Sequence, residues 1–274
     1  MQQASGLRPD ELTLSCVLRI SGEAAAVEIG RQAHGYLIRS SRGGTGRDVV
    51  LLSCLVEMYG RCGLAGKARL VFETGGSSRE GRRGRDVVLW TSMLNAYGRN
   101  GQFDDVIKAF EEMLAERTEP DGLAFLAVLS ACSRSGNVKK GLEFLGLMGR
   151  SYGLVPGPEH YGCIVDMLCR AGEVEKAWKF ANEMVVAGNG KRIGASSWGA
   201  ILSACRDTGN VEIGVTTARK GLELDPCNVG LLMELSNLYA KVGMWDEIGV
   251  LREEMRERGL EKDVGNSRLE TSNY

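Results

Sequence analysis

The sequence is poor in the residues that hold metals. Its only histidines are His34 and His160, and none of its 8 cysteines is spaced Cys-x-x-Cys. A zinc-ribbon pattern is therefore missing, and so is the His-x-Glu with Pro-Cys-x-x-Cys set that zinc deaminases use. His34 is followed by Gly35 and Tyr36, and His160 by Tyr161 and Gly162. No catalytic residue, metal ligand or cofactor is assigned. No run of apolar residues is long enough to cross a membrane, so none is expected as a partner. Neither sign of charge is in excess: 34 Lys and Arg face 35 Asp and Glu, and the balance is as even in each half as in the whole. A polyanionic partner is not advertised by net charge, although a locally basic groove fits inside a neutral whole. The first ten residues lack both a hydrophobic secretory stretch and an arginine-rich amphipathic leader. The cysteines recur at matched places, Cys16, Cys54 and Cys163 at one and Cys132 and Cys205 at another. That pattern suits small apolar residues packed between helices in a reducing compartment.

What is present is repetition. Met58-Tyr59-Gly60-Arg61-Cys62-Gly63 returns as Ala96-Tyr97-Gly98-Arg99-Asn100-Gly101, Ala131-Cys132-Ser133-Arg134-Ser135-Gly136 and Met167-Leu168-Cys169-Arg170-Ala171-Gly172. Looser copies end at Gly209 and Gly243, so the glycines step by 38, 35, 36, 37 and 34 residues. A period of this size belongs to stacked supersecondary units, whose ligand surface runs across repeats instead of sitting in one pocket.

Val87 to Asp121 shows what each unit is. Trp90, Met93, Leu94 and Tyr97 recur at helical spacing before Gly98-Arg99-Asn100-Gly101 breaks the chain. A second helix then places Phe103, Val106, Ile107, Phe110 and Met113 on one stripe and charged residues on the other, until Pro120 ends it. Two helices of about 12 residues are marginal alone, so stacking must cover their stripes. The predicted class is all-α, an α-solenoid (superhelix) of helix-turn-helix repeats of about 35 residues. Its units are expected at 11–48, 49–86, 87–121, 122–157 and 158–195, followed by two related motifs at 196–263 and a tail at 264–274. Residues 1–10 read as the end of a truncated repeat, because Leu7-Arg8-Pro9-Asp10 parallels Glu119-Pro120-Asp121. The chain is accordingly expected to be a piece of a longer protein.

Small residues at Gly30, Ala68, Gly141, Ala177 and Gly214 mark where second helices are approached closely, and Met113, Met148, Met184 and Met255 are expected as core filler. Two units carry insertions, Ser40 to Arg47 and Gly75 to Arg85. The second, with Arg79, Arg82, Arg83 and Arg85, reads as a mobile basic loop, either a tolerated surface insertion or a phosphate contact.

The unit that ends in Met113 and then Pro120-Asp121 resembles a pentatricopeptide repeat, and the alternating unit lengths resemble the plant PLS subclass. Trp198 to Arg206 with Leu224-Asp225-Pro226, then Leu235-Ser236-Asn237-Leu238-Tyr239-Ala240, is similar to the E1 and E2 motifs that close such proteins. The resemblance implies sequence-specific binding of single-stranded RNA at about one base per repeat. It further implies a site-recognition role in RNA modification, with C-to-U RNA editing foremost and catalysis supplied in trans. The compartment it implies is a mitochondrion or chloroplast, reached by a transit peptide not in this chain.

By the same resemblance the fifth and last residues of a repeat read the base: Ser15 with Asp48, Ser53 with Asp86, and Thr91 with Asp121. Val50 and Val88, at the second position, match the apolar residues that sandwich a base. A hydroxyl donates or accepts and a carboxylate only accepts, which in the family's code goes with guanine. Serine near a helix start and aspartate after proline are also ordinary cap residues. Leu126 with Gly157 and Gly162 with Ala195 offer no polar pair and are expected to pack and space.

Three departures from the family stand out. Gly265-Asn266-Ser267-Arg268 has arginine where Gly-x-Ser-Trp is usual, the DYW deaminase domain of many relatives does not follow, and Ala25 replaces the turn glycine of the first unit. Protein partners, editing factors or a DYW-type deaminase, are expected through the E1/E2 region, which resembles tetratricopeptide (TPR) repeats. A TPR-like protein-protein interaction scaffold is the alternative reading of the whole chain.

Overall fold

The computed structural model describes residues 9–40, 49–76, 85–187 and 193–260. Among them the regular structure consists of fourteen helices: α1 (Glu11–Glu23), α2 (Val27–Ser40), α3 (Val49–Arg61), α4 (Ala65–Gly76), α5 (Val87–Arg99), α6 (Phe103–Ala115), α7 (Gly122–Ser135), α8 (Val138–Arg150), α9 (Pro158–Arg170), α10 (Val174–Ala187), α11 (Ala195–Thr208), α12 (Val211–Leu224), α13 (Val229–Lys241) and α14 (Trp245–Glu257). The fold is all-α, of the helical-repeat solenoid class. Two compact units divide it at Met167 and Leu168, inside α9.

Glycine makes the sharp turns between paired helices possible. Gly101, at φ 71°, reverses the chain between α5 and α6, a left-handed conformation that costs other residues about 1 kcal/mol or more. The α1–α2 turn makes the same reversal without glycine, holding Ala25 at φ 50°. Packing across the stack outweighs that local strain.

In the unit up to Met167 each apolar stripe is covered by its neighbours. Leu89, Trp90, Met93 and Leu94 of α5 and Val106, Ile107, Phe110 and Met113 of α6 are buried together. Phe110 then reaches onward, with ring centroids 5.2 Å from both Phe125 of α7 and Phe144 of α8 in edge-to-face geometry. The small residues let following helices in: a Cβ on Gly141 would lie 2.6 Å from Met167 Cε. Exposed ion pairs cross between second helices, Arg69–Glu112 at 3.0 Å and Lys140–Glu111 at 2.7 Å. At the surface such pairs contribute little to stability.

The unit from Leu168 onward is built the same way around Trp198, Ile201, Leu202 and Cys205 of α11 and Leu231, Leu232 and Leu238 of α13. Gly214 of α12 admits Leu238, whose Cδ2 would lie 2.2 Å from an added Cβ. Arg206 of α11 bonds Glu234 of α13 at 2.7 Å, and the Asn210 and Asn228 side chains cap α12 and α13.

The cysteines are free thiols. Burial pushes Cys132 up to about 12 and Cys163 and Cys205 up to about 11. At neutral pH they stay protonated, apolar and unreactive.

Candidate nucleic-acid interface

Three of the helices that open hairpins begin alike. Asp10, Asp86 and Asp121 stand one residue before α1, α5 and α7, and each accepts a backbone N–H from the third helical residue. The distances are 2.8 Å from Thr13, 2.9 Å from Leu89 and 2.8 Å from Ala124. One carboxylate oxygen thus satisfies an orphan helix donor. The Thr13 hydroxyl and backbone N–H also hold the Asp10 carboxyl below the usual carboxylate range. Asp48, named with these residues, lies outside the described residues.

The second residue of the first four opening helices, α1, α3, α5 and α7, is apolar and turned to solvent, whereas α9 carries Glu159 there. Leu12, Val50, Val88 and Leu123 are 72, 60, 54 and 64% exposed. Val50 and Val88 belong to the predicted set; Leu12 and Leu123 do not. The repeat frame itself was the signal that could have found them, since both stand second in their helices.

Three residues on, and so on the same helix face, come Ser15, Ser53 and Thr91, which are 9, 8 and 8% exposed. Ser15 donates its hydroxyl to Leu12 O at 2.8 Å and Ser53 donates to Val50 O at 2.9 Å. Both hydrogens are committed locally, which leaves oxygen lone pairs as acceptors. Thr91 differs, because its Oγ1 is buried with no hydrogen-bond partner among the described residues. Such a group is costly unless something outside the chain satisfies it.

The chain therefore brings Asp86, Val88 and Thr91 to one end of α5, and sets Asp121 with Leu123 at the matching end of α7. At the fifth position of α7 stands Leu126, partly buried and without polar atoms on its side chain.

The basic insertion needs one correction. Arg79, Arg82 and Arg83 lie outside the described residues, but Arg85 is no mobile phosphate ligand. Its guanidinium lies 4.6 Å from the centroid of the Phe72 ring and 5.6 Å from that of Trp90. It pairs with Glu116 and donates to Phe72 O, so it fastens α4, α5 and the end of α6.

Comparison with known proteins follows the same frame. Residues 85–134 match the model of the PPR repeat family, 124–152 and 152–185 match PPR repeat models, and 208–270 match the E motif. Residues 85–185 thus carry pentatricopeptide (PPR) repeats, and an E motif follows at 208–270. A pentatricopeptide repeat-containing protein of Arabidopsis thaliana whose name adds "mitochondrial" is 41% identical over 170 residues, 62% of this chain and 30% of that one. Another, named as chloroplastic, is 39% identical over 170 residues, 62% of this chain and 19% of the relative. The matched stretch thus spans at most about a third of these curated relatives. Among solved structures, PPR10 from maize superimposes with a TM-score of 0.54 at 20% identity, covering 94% of this chain and 40% of that one. PPR10 in complex with an 18-nt psaJ RNA element gives 0.51 at 23% identity, covering 92% and 37%. At these identities the likeness concerns the fold.

Proposed function

We propose that the repeats over 11–195 bind single-stranded RNA with sequence preference. In this reading the chain is the recognition part of a factor that marks a site for organellar RNA processing, with C-to-U editing as the step. The observation that carries the reading is the ladder Leu12, Val50, Val88 and Leu123. Four exposed apolar side chains recur at one place in the first four opening helices, α1, α3, α5 and α7, as platforms against the faces of unstacked bases do. The hydroxyls of Ser15, Ser53 and Thr91, with the carboxylates of Asp48, Asp86 and Asp121, then read base edges. Thr91 with Asp121 is the foremost pair, because Thr91 lies near the start of α5 and Asp121 caps the start of α7, the next opening helix. A carboxylate acceptor beside a hydroxyl suits the N1 and N2 hydrogens of guanine.

Catalysis is assigned to another polypeptide. The buried thiols of Cys132 and Cys205 are held protonated by burial, and the sequence has no zinc-deaminase ligand set. The E-motif stretch is the docking region for that polypeptide or for other editing factors. Trp245, 68% exposed, and Val250, 66% exposed, give it apolar surface for a protein to cover. Mitochondria and chloroplasts are the compartments carried by relatives' names, and one of the two is assigned here.

The test is binding of the chain to a panel of single-stranded RNAs that differ at two adjacent bases. Preference for a guanine pair supports the reading, and equal affinity across the panel contradicts it.

A further inference from the structure

The third residue of an opening helix belongs to the core, and Leu51, Leu89 and Leu231 fill that place in α3, α5 and α13, all of them buried. In α9 the same place holds His160, which is only 8% exposed. An imidazole so buried needs partners for both ring nitrogens. It has them. The Gly157 N–H, which can only donate, lies 3.0 Å from Nδ1, so Nδ1 is the acceptor and the ring proton sits on Nε2. Nε2 then donates to Gly122 O, 2.9 Å away in α7.

Gly122 is the first residue of α7, between the cap residue Asp121 and the exposed Leu123. The carbonyl that His160 holds is therefore flanked by the two groups that face a base in the RNA reading. The preceding boundary is tied by other chemistry, Thr118 Oγ1 donating to Arg85 O at 3.2 Å beside Asp86. The far end of α7 has a fastening of its own, from the buried Ser133 hydroxyl to Asp166 at 2.5 Å.

We infer that His160 is a positioning residue for base reading: it fixes the first turn of α7, and with it the Asp121 carboxylate and Leu123, against the start of α9. The inference rests on the RNA reading above and gives His160 no contact with RNA. A hydrogen bond has a direction, whereas a leucine in the same place would pack without one and let the first turn shift. A shifted carboxylate loses its aligned bond to a base edge, while charge contacts with phosphate fall off only slowly with distance. Loss of His160 should therefore show in base choice before it shows in phosphate contacts.

The experiment uses the 274-residue chain and two labelled oligouridines, one with a central pair of guanosines and one with a central pair of adenosines, followed by fluorescence anisotropy across a salt series. His160→Leu installs the residue of α3 and α5 and removes both hydrogen bonds. Its guanine-to-adenine ratio of affinities should fall by about threefold, with the slope of log K against log salt unchanged because no phosphate contact is lost. His160→Gln, whose amide reaches where Nε2 does and can donate to Gly122 O, should return the ratio toward that of the wild type. Ser133→Ala, which cuts the fastening at the other end of α7, should leave the ratio alone. Circular dichroism checks folding, and if His160→Leu fails to fold, His160→Ser takes its place, since Ser197 fills that position in α11. A wild-type ratio in the folded His160 variant overturns the positioning role, and so does an equal fall in Ser133→Ala, which would mark a general loosening of α7. In both cases the RNA reading stands, because the wild-type chain still prefers guanine. If the wild-type chain binds the two probes alike, the RNA reading fails and the positioning role fails with it.

Discussion

The Arg85 guanidinium stacks over the Phe72 ring, 4.6 Å from its centroid, while Phe72 meets Trp90 edge to face at 4.6 Å. One cation and two rings therefore join the end of α4 to the start of α5, and the ion pair to Glu116 extends the contact to the end of α6. Arg85→Ala should lower stability by about 1–2 kcal/mol, since a partly desolvated cation–π contact and a charged hydrogen bond are lost together. Urea unfolding measures it. Arg85→Lys should restore less than half, because an ammonium cannot lie flat on the ring and bond Glu116 in the same pose. A wild-type midpoint for Arg85→Ala would show the clasp to be idle.

Ala25 holds a left-handed turn that glycine makes elsewhere. Ala25→Gly should raise stability by about 0.5–1 kcal/mol, the relief of Cβ strain less the extra entropy of the unfolded chain. Thermal unfolding followed by circular dichroism is the check, and a lower midpoint would mean that the turn carries no strain.

Cysteine reactivity should sort by burial. Cys16 and Cys227 are exposed and should alkylate quickly at pH 8, whereas Cys132 and Cys205 should be protected until the chain opens. The pH dependence has a definite sign. The Cys132 thiol is raised from 9.0 to about 12 in the folded chain, so the unfolded state sheds its proton first. Stability is then complete below pH 9 and declines as pH rises toward the folded value. Mass spectrometry of alkylated peptides reads the first claim, and urea midpoints between neutral and alkaline pH read the second.

Much of this was legible in the sequence because the repeat multiplies weak signals. The stripe Trp90, Met93, Leu94 and the break at Gly101 specify α5, its turn and α6, since burial and a left-handed turn leave few other solutions. The interface was legible only in part. Val50 and Val88 were picked out, whereas Leu12 and Leu123 look like core residues until the helices show them facing water. Arg85 reads as one more arginine of a basic loop because its neighbours are arginines, and its true partners, Phe72 and Glu116, are distant in sequence. The hydrogen bond from the Asn100 amide to Gly60 O joins residues of two repeats, a contact that periodicity within one repeat does not encode.

Base reading is tested most directly at Asp121. Its carboxylate caps α7 through the Ala124 N–H at 2.8 Å, and asparagine caps a helix about as well. Asp121→Asn therefore keeps the helix start and replaces an acceptor-only group by an amide that also donates. The measurement is the ratio of affinities for two RNAs that differ only at the base facing Thr91 and Asp121, guanine in one and adenine in the other. Preference should move from guanine toward adenine by about tenfold, the scale of one well-placed hydrogen-bonded pair. An unchanged ratio in a folded variant would make Asp121 a helix cap alone and contradict the assignment of this chain as a reader of RNA sequence.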